Sequence, residues 1–275
     1  MKTWFITGIS RGLGLALAKA VLAEGDTVIG TVRDGKPDLT TAPGKLHVIS
    51  VDLADHAAAE FAVKQAFALS GTIDVIVNNA GYGLIGATEK ATDAELERIF
   101  TVDVFSPFRI IRTALPFLRA QGFGHIINIT SVAGRAPAAG YSLYAAVKYA
   151  LEGISTSIAQ ELAPFGIKVT AVAPGGFRTD FLAPSSIRKS EADAAYDATI
   201  GRITAAFDEK DGKQLGDPDR AAEAIITLVA SDNPPVHLLL GSDALRRARE
   251  KLDAVIEEMD RWEEMTLSTD FPEAA

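Results

Sequence analysis

The 275-residue chain has no cysteine, only 4 histidines, 3 methionines and 2 tryptophans, and aromatic residues make up just 7% of it. Without cysteine there is no disulfide framework, no thiolate nucleophile and no cysteine-ligated zinc or iron–sulfur centre. His47, His56, His125 and His237 are scattered, without HExxH or paired-ligand spacing, so no resident metal is expected. No run approaches the roughly 18 apolar residues of a membrane span. The opening MKTWFITG reads as a strand, so no signal peptide is expected and the cytoplasm is the default address. Positive charge is also short: 27 Lys and Arg stand against 36 Asp and Glu, a net of -9. That balance disfavours a non-specific grip on nucleic acid or an anionic membrane. It does not exclude a small anionic ligand, which reads a local field.

What is present is an alternation of short β-branched apolar runs with longer amphipathic ones. Residues 3–7, 27–32, 45–51, 73–78, 125–130, 168–172 and 236–240 read as strands. They lack polar alternation, as parallel strands covered on both faces do. Between them, 12–24, 57–69, 93–118, 142–162 and 219–230 read as helices long enough for crossovers. The pattern predicts an α/β fold: a Rossmann-like, doubly wound parallel sheet of about seven strands with helices on both faces. A single domain over 1–275 is expected, with a cofactor-binding part over 1–175. A substrate lid would span about 176–216, containing Pro184 and modest helical segments over 191–207. An acidic C-terminal helix and tail would span 243–275.

Thr7-Gly8-Ile9-Ser10-Arg11-Gly12-Leu13-Gly14 follows the first strand and opens the first helix. Glycines there permit a tight turn and close backbone approach, and a helix N-terminus presents unpaired N–H groups to a pyrophosphate. Gly8 and Gly12 stand one residue farther apart than in GxGxxG. At the end of the second strand, an acid would select NAD and an arginine NADP. Val32 stands where the acid might be, and Arg33 follows, with Arg11 near enough to join it. This favours NADP(H), with Asp34 as a competing carboxylate one residue on.

Together with that loop, several motifs resemble the short-chain dehydrogenase/reductase family. They are Asp52-Leu53, Asn78-Asn79-Ala80-Gly81, Ser131, Tyr144-Ala-Ala-Val-Lys148 and Pro174-Gly175 followed by Thr179. Ser131 precedes Tyr144 by 13 residues, and the likeness runs from residue 1 to about 182. A closer likeness to a bacterial subgroup of retinol and hydroxysteroid type rests on Gly241-Ser242-Asp243-Ala244 and Ser268-Thr269-Asp270-Phe271. The resemblance implies that Gly8, Ser10, Arg11, Gly12, Leu13 and Gly14 cradle the cofactor, and that Asp52 and Leu53 flank its adenine. It places Asn79, Ala80 and Gly81 by the ribose, and Pro174, Gly175, Phe177 and Thr179 by the nicotinamide. Tyr144 would be the general acid/base and Ser131 would polarise the carbonyl. Lys148, at i+4 from Tyr144, would lower its pKa and hold the ribose. The family carries Asn where this chain has Asp103, so a proton relay through that position is expected to change its pH dependence and hold Lys148 more firmly charged.

The implied partner is a small-molecule carbonyl or alcohol: an apolar ketone, aldehyde or secondary alcohol. Phe177, Phe181, Leu182, Ile187 and Tyr196 are the candidate apolar pocket, with Tyr141 as a wall. Arg178, Arg188 and Lys189 are assigned to the rim. Arg135 keeps an acidic substrate open, and Gly81, Gly83 and Gly134 are read as leaving space near the reacting carbon. Phe105, Phe108, Ile110 and Leu115 suggest an apolar helix face and hence a homodimer or homotetramer. A non-catalytic NADP(H)-binding sensor, or an epimerase or dehydratase on the same scaffold, are the competing classes. Residues 250–275 hold nine acids and two bases, so the net charge resides mostly in the last helix and tail. A solvated polar face explains this; the alternative is that the stripe from Leu245 to Trp262 packs on the pocket or a neighbour, with Phe271 anchoring the tail.

Overall fold

The computed structural model describes residues 1–39, 43–183 and 186–271; the expectation for Pro184 lies outside them. In chain order the elements are β1 (Thr3–Ile6), α1 (Gly12–Ala23), β2 (Thr27–Val32), β3 (Lys45–Ser50), α2 (His56–Ser70), β4 (Val75–Asn78), β5 (Gly83–Ile85), α3 (Asp93–Phe100), α4 (Ser106–Gln121) and β6 (Gly124–Ile129). They continue with α5 (Ser142–Leu162), β7 (Ile167–Pro174), β8 (Ile187–Lys189), α6 (Arg202–Lys210), α7 (Pro218–Ala230), β9 (His237–Leu240) and α8 (Ser242–Leu267).

Seven strands form one parallel sheet in the order β3-β2-β1-β4-β6-β7-β9. The period-2 alternation of a strand explains why both faces are apolar. Trp4, Ile6, Val28 and Val77 pack on one face with Leu17 and Val21 of α1 and Ile225 of α7. Phe5, Ile29 and Ile76 pack on the other with Val63 of α2, Ile110 of α4 and Ile158 of α5. Each such side chain contributes about 1.5–3 kcal/mol on burial. The order reverses between β1 and β4, and this switch point opens a crevice at the carboxyl ends of the strands.

Two features depart from the sequence pattern. The stretch 93–118 is not one helix: α3 and α4 are joined by a wide π-type turn over Thr101–Phe105. Such turns insert a residue into the helical ladder and re-aim the side chains they carry; here they carry Asp103. The region 176–216 is more than a loose roof, because β8 pairs in parallel with β5, Gly83 opposite Ile187. Its modest helical segments run over 194–210, short helical turns over 194–201 leading into α6. Among the described residues, no helix is long and apolar enough to cross a membrane.

Candidate active site

Gly8 and Gly12 have φ of 73° and 59°, the left-handed region that glycine enters without cost. Their loop is held from two sides. Gly8 and Ile9 donate N–H bonds to the Thr31 carbonyl at 3.0 Å. The Asn79 side-chain amide donates to the carbonyls of Thr7 (2.9 Å) and Gly8 (3.0 Å), while the Asn79 and Ala80 N–H groups donate to Thr7 Oγ1. The loop leads into α1, where no side chain caps the first-turn N–H groups. Those donors face a cleft of about 540 Å³.

The cleft collects nearly every residue assigned from sequence to the cofactor or to catalysis. Gly8, Ser10, Arg11, Gly12 and Leu13 line one end, with Arg33, Asp52 and Leu53. Asn79, Ala80, Gly81, Ser131, Tyr144, Lys148, Pro174, Gly175, Phe177 and Thr179 line the remainder. Two do not. A Cβ on Gly14 would lie 2.3 Å from both the Asn79 amide nitrogen and the Gly8 carbonyl, so Gly14 allows α1 to pack under the loop and does not itself cradle a ligand. Asp103 sits behind the wall, held to Lys148 and to the Tyr82 N–H.

Ser131 follows β6 and Tyr144 lies in the first turn of α5, which brings the Ser131 hydroxyl beside the Tyr144 phenol. Lys148 Nζ lies 3.1 Å from Asp103 Oδ2, 3.4 Å from the Ile129 carbonyl and 5.5 Å from the centre of the Tyr144 ring. Asp103 Oδ1 accepts the Tyr82 N–H at 3.2 Å. A buried chain positions α5 beneath this cluster: Asn78 Nδ2 donates to Asn128 Oδ1, Asn128 Nδ2 to Ser155 Oγ, and Ser155 Oγ to the Leu151 carbonyl.

Electrostatics here differ from expectation in sign. Burial pushes the Tyr144 phenol above its ordinary value, and the nearby Lys148 charge and the Ser131 bond offset this only in part. Lys148 was expected to bring the phenol down overall; in this site desolvation of the phenolate wins. For Lys148 itself, burial is the largest single influence and pushes it down, but Asp103 and Tyr144 together carry it above its ordinary value. Burial raises Asp103, against the pull of Lys148 and the Tyr82 N–H.

Other assignments shift for structural reasons. Arg135 does not line the cleft; it pairs at 3.0 Å with Glu152, which also accepts from Thr130 and contacts His237. Arg178 donates to the Gln214 carbonyl and pins the lid. Ile187 is buried in the core and Tyr196 lies off the cleft; Phe181 and Leu182 are joined there instead by Tyr82, Tyr141 and Phe207. Glycines at 81, 83 and 134 do not leave open space: Cβ atoms there would meet Asp103, Ile187 and the Lys148 backbone within 3.0 Å. Of the four residues read as an apolar helix face, Phe105 and Phe108 are exposed, whereas Ile110 is buried and Leu115 packs on the core.

Arg188, assigned to the rim, lines the cleft; sequence reasoning missed Arg98, Arg246 and Arg247 in its wall and gave Asp243 no role there. Asp243 Oδ2 accepts the Gly176 N–H at 2.9 Å and Arg247 donates to the Ala136 carbonyl at 2.7 Å. The first turn of α8 thereby closes one end of the site. Only long-range packing brings it there, so no local signal could have found it.

A glycine loop at a switch point, with a Ser–Tyr–Lys cluster across the same cleft, defines a dinucleotide-dependent dehydrogenase architecture. The chain belongs to the short chain dehydrogenase family, whose model matches residues 2–190. It is 36% identical over 274 residues to Oxidoreductase BOA17 of Botryotinia fuckeliana, covering 98% of this chain and 99% of that protein. A short-chain dehydrogenase from Streptomyces avermitilis superposes with a TM-score of 0.89 at 38% identity, over 98% of this chain and 100% of that one. A metagenomic short-chain oxidoreductase solved in complex with NADP superposes with a TM-score of 0.66 at 26% identity, over 87% and 96%. Likeness along the full length thus extends to a fungal protein, so it does not mark out a bacterial subgroup.

Proposed function

We propose that this chain is an NADP(H)-dependent oxidoreductase that interconverts an apolar ketone or aldehyde and the corresponding alcohol. The observation that carries the reading is one cleft holding both the glycine loop and the Ser131–Tyr144–Lys148 cluster. The site fits a dinucleotide on its own geometry: left-handed glycines at 8 and 12, uncapped N–H groups at the start of α1, and a long crevice. Gly8, Ser10, Gly12 and Leu13 would hold the pyrophosphate, Asp52 and Leu53 the adenine, and Pro174, Gly175, Phe177 and Thr179 the nicotinamide end. Arg11 and Arg33 favour a 2′-phosphate; the Arg33–Asp34 pair is exposed and worth little, so it yields readily to a phosphate. The NADP complex of the metagenomic neighbour supports the same choice.

The bound cofactor would supply hydride. The protein's part is proton supply and polarisation. A buried Tyr144 with a raised pKa remains a phenol at neutral pH, which suits a proton donor to a developing alkoxide. Ser131 would donate to the same oxygen, and Lys148, held charged by Asp103, would hold the ribose and stabilise the phenolate after transfer. Tyr82, Tyr141, Phe181, Leu182 and Phe207 offer the substrate an apolar wall beneath the lid over 176–216. The exposed Phe105 and Phe108 support self-association through the α4 face. Titration with NADPH, followed by a carbonyl and alcohol panel read at the cofactor absorbance, tests the reading. Tyr144→Phe should retain NADPH binding and lose turnover at least a hundredfold. Tight binding with no turnover by either protein would favour the sensor, whose specific support is Asp103.

A further inference from the structure

The cleft wall carries six arginines and Lys148 against four aspartates, in a chain whose net charge is -9. Most of these cations are already engaged. Lys148 pairs with Asp103, Arg246 pairs with Glu250, and Arg247 donates to the Ala136 carbonyl. Arg11 and Arg33 stand at the glycine-loop end. Arg98 and Arg188 remain. Among the described residues, neither pairs with a carboxylate or donates a side-chain hydrogen bond. Tyr82 brings the two together. Arg188 lies 5.4 Å over the centre of its ring. Both guanidiniums act on its phenol, which burial and Asp103 push up to about 12 against their pull. Glu95 also acts on that phenol, but its oxygens are occupied by the Thr92 N–H and hydroxyl and by the Ser190 hydroxyl.

The fold explains this placement. β8 pairs with β5, setting Ile187 opposite Gly83 and Arg188 opposite Leu84. Ile187 is buried in the core, and strand alternation turns the next residue the other way, toward the cleft that Arg188 lines. Arg98 comes from the last turn of α3. A guanidinium lying over a ring keeps its N–H edge open, and that edge matches a planar carboxylate with two parallel bonds. The Tyr82 N–H is held by Asp103, so its backbone stands beside the catalytic cluster and its ring leads outward to the two arginines. Phe181, 5.9 Å from the Tyr144 ring, and Leu182 supply apolar surface in the same cleft. We propose that Arg98 and Arg188 form a subsite that holds a carboxylate at the far end of an otherwise apolar carbonyl substrate. The inference rests on the oxidoreductase reading above and narrows its substrate class to oxo acids with an apolar spacer, and the matching hydroxy acids.

Binding tests the subsite without turnover. Isothermal titration of the NADPH-loaded protein with straight-chain alkyl carboxylates, and with alkanols of the same lengths, should show the carboxylates bound about tenfold more tightly, as charge-assisted hydrogen bonds warrant. That advantage should shrink as salt is raised. Arg98→Gln combined with Arg188→Gln should abolish it, with the melting temperature and NADPH affinity retained. Equal affinity for carboxylate and alkanol, or an advantage that survives the double substitution, would overturn the proposal. In turnover, straight-chain oxo acids should exceed their methyl esters in kcat/KM by a similar factor, and the double substitution should bring the ratio toward one. Failure to reduce either, with the carboxylate preference intact, would overturn the oxidoreductase reading and leave the anion subsite standing. Reduction of both with equal kcat/KM would overturn the subsite and leave the oxidoreductase reading standing.

Discussion

Lys148 Nζ and Asp103 Oδ2 lie 3.1 Å apart with side chains 7% and 0% exposed, a buried ion pair directly behind the Tyr144 phenol. The pair crosses from the π-type turn before α4 to the second turn of α5, so it ties the helix carrying Tyr144 to the next element. Because Lys148 is raised, its contribution to stability is full below its unfolded value, about 10.4. It is lost as pH climbs through the higher folded value.

Asp103→Asn removes the charge that outweighs burial at Lys148. Lys148 should then deprotonate at lower pH, so the alkaline fall in turnover begins earlier than in wild type. Leaving the ammonium buried without its counter-charge should cost about 3 kcal/mol in urea unfolding. Superimposable pH–rate profiles for the two proteins would exclude a role for Asp103 in setting the proton chemistry.

Arg33→Ala should separate the two nicotinamide cofactors. Its guanidinium is mostly exposed and, among the described residues, pairs with the adjacent Asp34, so its loss should leave the fold intact. The KM for NADPH should rise about tenfold, or roughly 1.4 kcal/mol, with the KM for NADH unchanged. An equal effect on both would remove Arg33 from 2′-phosphate recognition.

Gly14→Ala tests packing beneath the glycine loop. The added methyl would collide with the Asn79 amide that holds the Thr7 and Gly8 carbonyls. A loss of about 1–3 kcal/mol in stability is expected from the overpacking, together with weaker NADPH binding by isothermal titration. Unchanged binding would mean that Asn79 does not position the loop.

His125 is buried between β4 and β7, its Nε2 3.0 Å from Thr170 Oγ1. Burial, with Lys168 assisting, pushes it down to about 4. A depressed histidine stabilises the fold above its unfolded value near 6.5 and loses that contribution as pH falls toward 4. The loss should approach 3 kcal/mol. His125→Gln should flatten the fall in melting temperature between those limits. An identical acid profile would assign the acid lability elsewhere.

Much of the site was legible because its parts are local. Tyr144 and Lys148 share a helix face by the four-residue repeat, and Gly8 and Gly12 mark left-handed backbone whatever surrounds them. The strands were legible from continuous apolar runs, to within one or two residues at most ends. The break between α3 and α4 was not, because the amphipathic period continues across it and one inserted residue leaves no compositional trace.

Sequence by itself determined the parallel sheet, the loop-to-helix start and the Tyr144–Lys148 pair, since each follows from periodicity or from an i,i+4 relation, while Ser131 entered through the family resemblance. Tertiary structure decided which charges meet. It gave Asp103 to Lys148 and Arg135 to Glu152, and set Asp243 and Arg247 of α8 against the cleft. It also let burial outweigh Lys148 at Tyr144. A charge's partner and its degree of desolvation depend on residues distant in the chain, and those are fixed only when the sheet and its helices close around the site.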